Sequence, residues 1–478
     1  MRFYFALAVL TVLGLLIRST EVVGYNYPYR DPYLATATSA ILGNGEATAR
    51  IESNILRVPG LPGRNRLPSL EGRGDVSLAF YRQNQAAPLL FIVAGVGSNP
   101  YFGVGPYLAS LFYRAGSHVI ILPSPMNWNF ALSASRSGAP GYAPEDARDL
   151  YDVMQKTLTI LRDRYGVTPT DVRFLGVSLG ALEGAYLSLI DADERKIGIA
   201  NYLLINPPID LHYALKKIDE WSKLEEKFGP EISHQLVSKA LAIVDSFSDE
   251  RPDDPVVIDR LAKKFAGFTT KELQYLIATT LQSQLYELIY VTQVIQDQNV
   301  LPAPKDDMRK SLQEAKSFTL VDYYWKIAVP LWRKQLGDLQ ADPERLLQRS
   351  SLAPILDRLR SNPKVHILHN VDDFLVERKS IEALKETLGD QVTLYPYGGH
   401  LGNLWYPENK RTVLMILPPM GARPSETIHD RSRRDCGRLS WRRLSYPKNG
   451  PLPECGSDKI AFPESRGRKR KTNSEKST

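Results

Sequence analysis

The chain has 478 residues, 43% hydrophobic and 24% charged, proportions that exclude a fibre, a low-complexity polymer and a largely disordered protein. Its net charge of +7 is local: residues 421–478 hold 15 Lys/Arg against 7 Asp/Glu, and the preceding 420 hold 45 against 46. A body so evenly balanced gives no ground for a nucleic-acid substrate.

At the N-terminus, Arg2 precedes an apolar run from Phe3 to Ile17 that ends at Arg18. This is the layout of a signal peptide, with Val22-Val23-Gly24 as small residues for cleavage. The run is shorter than the roughly 20 residues that span a bilayer. Residues 1–24 are therefore expected to export the chain to the periplasm or the exterior, with an uncleaved membrane anchor as the alternative. Both cysteines, Cys436 and Cys455, fall near the other end, so the body holds neither a disulfide nor a thiolate nucleophile.

Strand signals follow. Glu52 to Val58 and Val76 to Tyr81 read as an antiparallel pair. Pro88 to Ala94, His118 to Leu122, Val172 to Val177, Tyr202 to Ile205, Lys364 to Leu368 and Gln391 to Tyr395 are short, mostly apolar runs. Runs of this kind suit strands covered on both faces. Helical patterns at Tyr107 to Ala115 and Pro144 to Arg164 lie between them, so the fold class is α/β, a mostly parallel sheet with helices on both faces. Residues 210–360 break the alternation and carry helical signal almost throughout. They are expected to form an all-helical cap that splits the core into 25–209 and 361–420. Thr270 to Ile295 reads as one helix with a stripe from Leu273 through Leu281 and Leu288 to Ile295. That stripe is the core of the insertion or, alternatively, the lining of an acyl pocket. Leu404 to Ile416 gives a last helix. Residues 421–478 lack periodicity and read as a basic, disordered tail.

The chemistry starts at "FLGVSLG". A buried strand runs straight into Ser178, and a helical run follows. Gly176 and Gly180 flank the serine where a sharp strand-to-helix turn brings backbone too close for side chains. A serine hydroxyl needs a base. His400, on a loop after Gly398-Gly399, can reach over the sheet edge, whereas His118, His366 and His369 lie in or beside apolar strands. The carboxylate expected to orient the imidazole lies in "HNVDDFLV", where Asp372 and Asp373 are both candidates but adjacent side chains cannot both face the histidine; Asp373 is favoured, with Asp210 as the alternative.

The order Ser178, Asp373, His400 around a strand–elbow–helix turn resembles the α/β-hydrolase superfamily, over about Ile51 to Ile416. "HNVDDFLV" is similar to its H-G-x-x-D-x-x-V segment, with Asn370 in place of glycine, a residue that tolerates left-handed backbone. The resemblance implies an oxyanion hole from the N–H groups of Leu179 and of Val96 or Gly97, in a loop that has Ala94-Gly95 where His-Gly is usual. It implies a serine hydrolase acting on an ester, thioester or amide of a small-molecule or acyl substrate, with no cofactor and no metal. An exopeptidase of the same fold is the alternative, for which an acidic cluster such as "SFSDERPDD" would hold a substrate amine. A non-catalytic binding protein of this fold is the other.

Overall fold

Among the described residues, eight strands form one sheet in the order β1-β2-β4-β3-β5-β6-β7-β8. They are β1 (Asn54–Val58), β2 (Val76–Tyr81), β3 (Leu89–Val93), β4 (His118–Leu122), β5 (Val172–Val177), β6 (Asn201–Ile205), β7 (Val365–Asn370) and β8 (Val392–Tyr395). β2 is antiparallel to both β1 and β4, and all other pairings are parallel. The computed structural model describes residues 24–418, apart from 43–50, 65–66, 68, 252, 297–298 and 305. The expected signal or anchor segment, the basic tail and both cysteines lie outside the described residues. Among the described residues, no helix is long and apolar enough to cross a membrane.

The continuous apolar runs have a direct cause. Successive strand side chains point to opposite faces, and every residue of β3 and of β4 is buried, so both faces of the central sheet are covered. Helices α1 (Pro32–Thr38), α2 (Val104–Arg114), α3 (Ala143–Tyr165) and α4 (Leu179–Glu194) belong to this part of the chain. α3 carries Pro144 and two acids in its first turn and ends on a left-handed Gly166, a matched pair of start and stop signals. α4 packs against α3 and against β5 and β6.

Between β6 and β7, every element among the described residues from Leu211 to Arg360 is helical. The helices used below are α5 (Leu211–Ser222), α6 (Pro230–Asp245), α7 (Pro255–Phe265), α8 (Thr270–Gln282) and α9 (Leu285–Gln296). The single helix expected over Thr270 to Ile295 is in fact two. Thr269 and Glu272 start α8 with a reciprocal capping box. The helix stops at Ser283, whose N–H and hydroxyl both turn back to the Thr280 carbonyl, the competition for backbone that makes serine a poor helix residue. The stripe accordingly divides: Leu273, Leu285, Leu288 and Val291 are buried core, and Leu281 lines a cavity.

Glu183 of α4 is 1% exposed, and neither carboxyl oxygen finds a hydrogen bond among the described residues. Burial, and then the nearby charge of Asp146, push its pKa well above the ordinary range. In the unfolded chain a glutamate ionises near pH 4.3. Below that pH both states hold the proton and the residue is neutral to stability. Above it, the unfolded chain releases the proton first, so stability falls as pH rises. Glu183→Gln is expected to remove that slope. It should melt higher than wild type at pH 8, by about 2 °C per kcal/mol in a chain of this size, and equally at pH 4. Thermal melts at the two values check this, and a wild-type slope in the variant would contradict it.

Candidate active site

β5 delivers Ser178 and β3 delivers the loop opposite it. Ser178 has φ 55° and ψ −121°, a conformation that a non-glycine residue holds only when its surroundings enforce it. Its N–H donates to the Ile205 carbonyl at 2.8 Å. The flanking glycines are dictated by contact. A Cβ on Gly176 would lie 2.3 Å from the Gly180 carbonyl oxygen, and one on Gly180 would lie 2.2 Å from that of Val93.

The structure brings Ser178, His400 and Asp373 together. His400 Nε2 and Ser178 Oγ are 2.9 Å apart, and His400 Nδ1 and Asp373 Oδ2 are 2.9 Å apart. All three are buried, His400 at 5% exposure and Asp373 at 2%. Burial raises the Asp373 pKa, but the charge of His400 and its hydrogen bond outweigh it and hold the carboxyl below its usual value. Asp373 also accepts from Asn206 Nδ2 at 2.8 Å and from the Leu375 N–H at 3.0 Å, so its lone pairs are directed.

The other candidates do different work. Asp210 caps α5 by accepting from the Tyr213 N–H. Asp372 points the other way from its neighbour and accepts from the N–H groups of Gly398 and Gly399 at 3.2 and 2.9 Å. Burial pushes its pKa up to about 6, against those two hydrogen bonds. His118 accepts from the Gln83 N–H, His366 bonds Thr393, and His369 is buried between the Asn370 and Pro207 carbonyls.

Asn370 acts for a reason other than left-handed backbone, since it is not among the residues with positive φ. Its Nδ2 donates to the Gly399 carbonyl at 2.8 Å, and its Oδ1 accepts from Asn403 Nδ2 at 2.7 Å. A glycine here could brace nothing. The structure adds Asn206, Asn403 and Thr36 to the surroundings of the site. Asn206 follows a strand, as many turn residues do, and only its positive φ of 49° sets it apart. That is a conformational feature with no mark in the sequence.

Leu179 is the first helical residue after the serine, so its N–H lacks a helical acceptor, and Val96 lies in the loop after β3. Neither N–H makes a backbone hydrogen bond outside regular elements among the described residues. Both residues line, with Ser178 and His400, a cavity of about 490 Å³ including the solvent at its mouth. The rest of its wall is apolar apart from Asn206 and the Tyr324 hydroxyl. Leu211, Leu215, Ile218, Leu281, Leu320 and Tyr324 come from the helical insertion, and Met126 and Leu375 from the core.

No protein-family model and no curated protein matches the chain. Solved structures are similar at low identity. Carboxyl esterase 2 from the mycorrhizal fungus Tuber melanosporum is 15% identical over 81% of this chain and 96% of its own, with a TM-score of 0.39. Brefeldin A esterase, described as a bacterial homologue of human hormone sensitive lipase, is 14% identical over 86% and 90%, at 0.37. A Pyrobaculum calidifontis esterase is 13% identical over 80% and 86%, at 0.35. Values this low decide neither substrate nor mechanism. The chain's own strand order, its antiparallel β2 and its serine on a strained turn between strand and helix identify the α/β-hydrolase fold.

Proposed function

We propose that the protein is a serine hydrolase that forms an acyl-enzyme on Ser178. The observation that carries this is the unbroken line of hydrogen bonds from Ser178 Oγ through His400 to Asp373. His400 Nε2 takes the hydroxyl proton as Oγ attacks the substrate carbonyl. Asp373 keeps the opposite nitrogen protonated and stabilises the imidazolium that forms. The N–H groups of Leu179 and Val96 hold the developing oxyanion. His400 then gives its proton to the leaving alcohol, thiol or amine, and water, activated by the same base, releases the acid.

The cavity supports an uncharged acyl group over a free amino terminus, because no carboxylate is among its lining residues. The acidic stretch that an exopeptidase would need is engaged elsewhere. Asp253 pairs with Lys410, Glu250 with Arg260, and Asp254 caps α7. Export by residues 1–24, or anchoring by them in a membrane, remains part of the proposal and has no bearing on the chemistry.

A fluorophosphonate probe tests the reading. Wild-type protein should be labelled at Ser178 and Ser178→Ala should not. Folded wild type that stays unlabelled would leave the non-catalytic alternative standing.

A further inference from the structure

Building on that reading, we propose that Thr36 is a positioning residue for His400, and that α1, at the far end of the chain, is part of the catalytic apparatus. The turn that carries His400 has little stiffness of its own. Gly398 has φ 149°, Gly399 φ 55° and Leu401 φ 69°, so left-handed or unusual backbone lies on both sides of the histidine. Its shape is imposed from outside. Asp372 holds the N–H groups of Gly398 and Gly399, and Asn370 holds the Gly399 carbonyl. The N–H of His400 itself donates to Thr36 Oγ1 at 2.9 Å.

The Thr36 hydroxyl is well placed to accept. It donates its own proton to the Pro32 carbonyl at 2.7 Å, which aims its lone pairs away from the helix. α1 is in turn fixed against the turn. Asp31 caps it. A Cβ on Gly399 would lie 2.1 Å from the Pro32 carbonyl oxygen, and one on Gly402 would lie 2.2 Å from that of Ala35. These two glycines are there to admit the helix. On its other side Tyr33 stacks on Phe374 at 4.9 Å and meets Trp221 of α5 edge-on, and α1 also packs on α7 and α8. The helix is a wedge between the histidine turn and the insertion that roofs the cavity.

Thr36→Val keeps the shape and removes the acceptor. The His400 N–H loses its partner, the turn relaxes, and Nε2 leaves its position beside Ser178 Oγ. Small misplacements of this kind reduce turnover while leaving substrate binding nearly intact. The experiment compares full-length wild type, Thr36→Val and Thr36→Ser by kcat and KM on p-nitrophenyl butyrate, fluorophosphonate labelling rate and thermal melting. Thr36→Val should lower kcat and labelling on the order of 10- to 100-fold with KM within about twofold, and Thr36→Ser should recover to within about threefold. A folded Thr36→Val protein with wild-type kcat and labelling rate overturns the proposal. If that variant does not fold, Thr36→Ala removes the same acceptor and is read in the same way. If wild type itself neither labels nor turns over, the hydrolase reading fails separately. The downfield proton resonance of the His400–Asp373 hydrogen bond then decides the role of Thr36: its loss or broadening in Thr36→Val supports positioning, and an unchanged resonance overturns it.

Discussion

Asp373→Asn is expected to lower kcat/KM by about 10⁴-fold without unfolding the protein. The carboxylate is buried and receives both the His400 Nδ1 proton and the Asn206 amide on one oxygen, Oδ2. An asparagine has one carbonyl oxygen and one NH2. If the oxygen faces His400, it gives up the charge that stabilises the imidazolium. If the NH2 faces His400, the ring is forced into the tautomer that presents Nε2–H to the serine, and the base is lost. Asp210→Asn is the control. It touches only the first turn of α5, and its kcat/KM should stay within about threefold of wild type, because cap changes act on helix stability. Both are read by ester hydrolysis and by labelling rate. Equal effects of the two substitutions would remove Asp373 from the mechanism.

Gly180→Ala should be nearly as damaging by a steric route. The new methyl would stand 2.2 Å from the Val93 carbonyl oxygen and 2.6 Å from that of Ala94. Both are backbone atoms at the end of a fully buried strand, so neither yields cheaply. The start of α4 must retreat from the loop after β3, which separates Leu179 from Val96 and moves Ser178 relative to His400. The expected result is a loss of at least about 100-fold in labelling rate, with overpacking destabilising the fold by roughly 1–3 kcal/mol. Gly198→Ala separates site from strain: Gly198 has φ +72° with nothing within 4 Å, so its alanine should cost about 1 kcal/mol and leave labelling unchanged. Wild-type labelling in Gly180→Ala would show that the turn tolerates a side chain, and the steric account would fall.

The parts of this protein that could be read from sequence are those where one local cause dominates. β3 and β4 are buried on both faces, and that alone writes a continuous apolar run. The serine turn announces itself because two backbone approaches forbid side chains at fixed offsets. The carboxylate and histidine that the structure places beside Ser178 each follow a late strand, where side chains reach the sheet's carboxyl edge. What could not be read depends on distant partners. Thr36 is an ordinary helical threonine until its partner, 364 residues away, is known. Glu183 looks like a solvated helix acid, and only tertiary packing buries it. The break at Ser283 rests on one hydroxyl turning back on the chain. Asn370 could be noticed as an unusual residue, but its use as a brace requires Gly399 and Asn403 in place.

The wedge formed by α1 also bears on when the site is assembled. The Tyr25 hydroxyl donates to Asn409 Oδ1 across 384 residues, and the Tyr27 hydroxyl to the Gly402 carbonyl across 375. Contacts that close so much chain carry a loop-closure cost, and during synthesis they wait for the last helix to emerge. A nascent or truncated chain can therefore hold Ser178 on a finished elbow and still lack its base. On the proposed mechanism, residues 25–36 must meet residues 400–409 before Ser178 has its base.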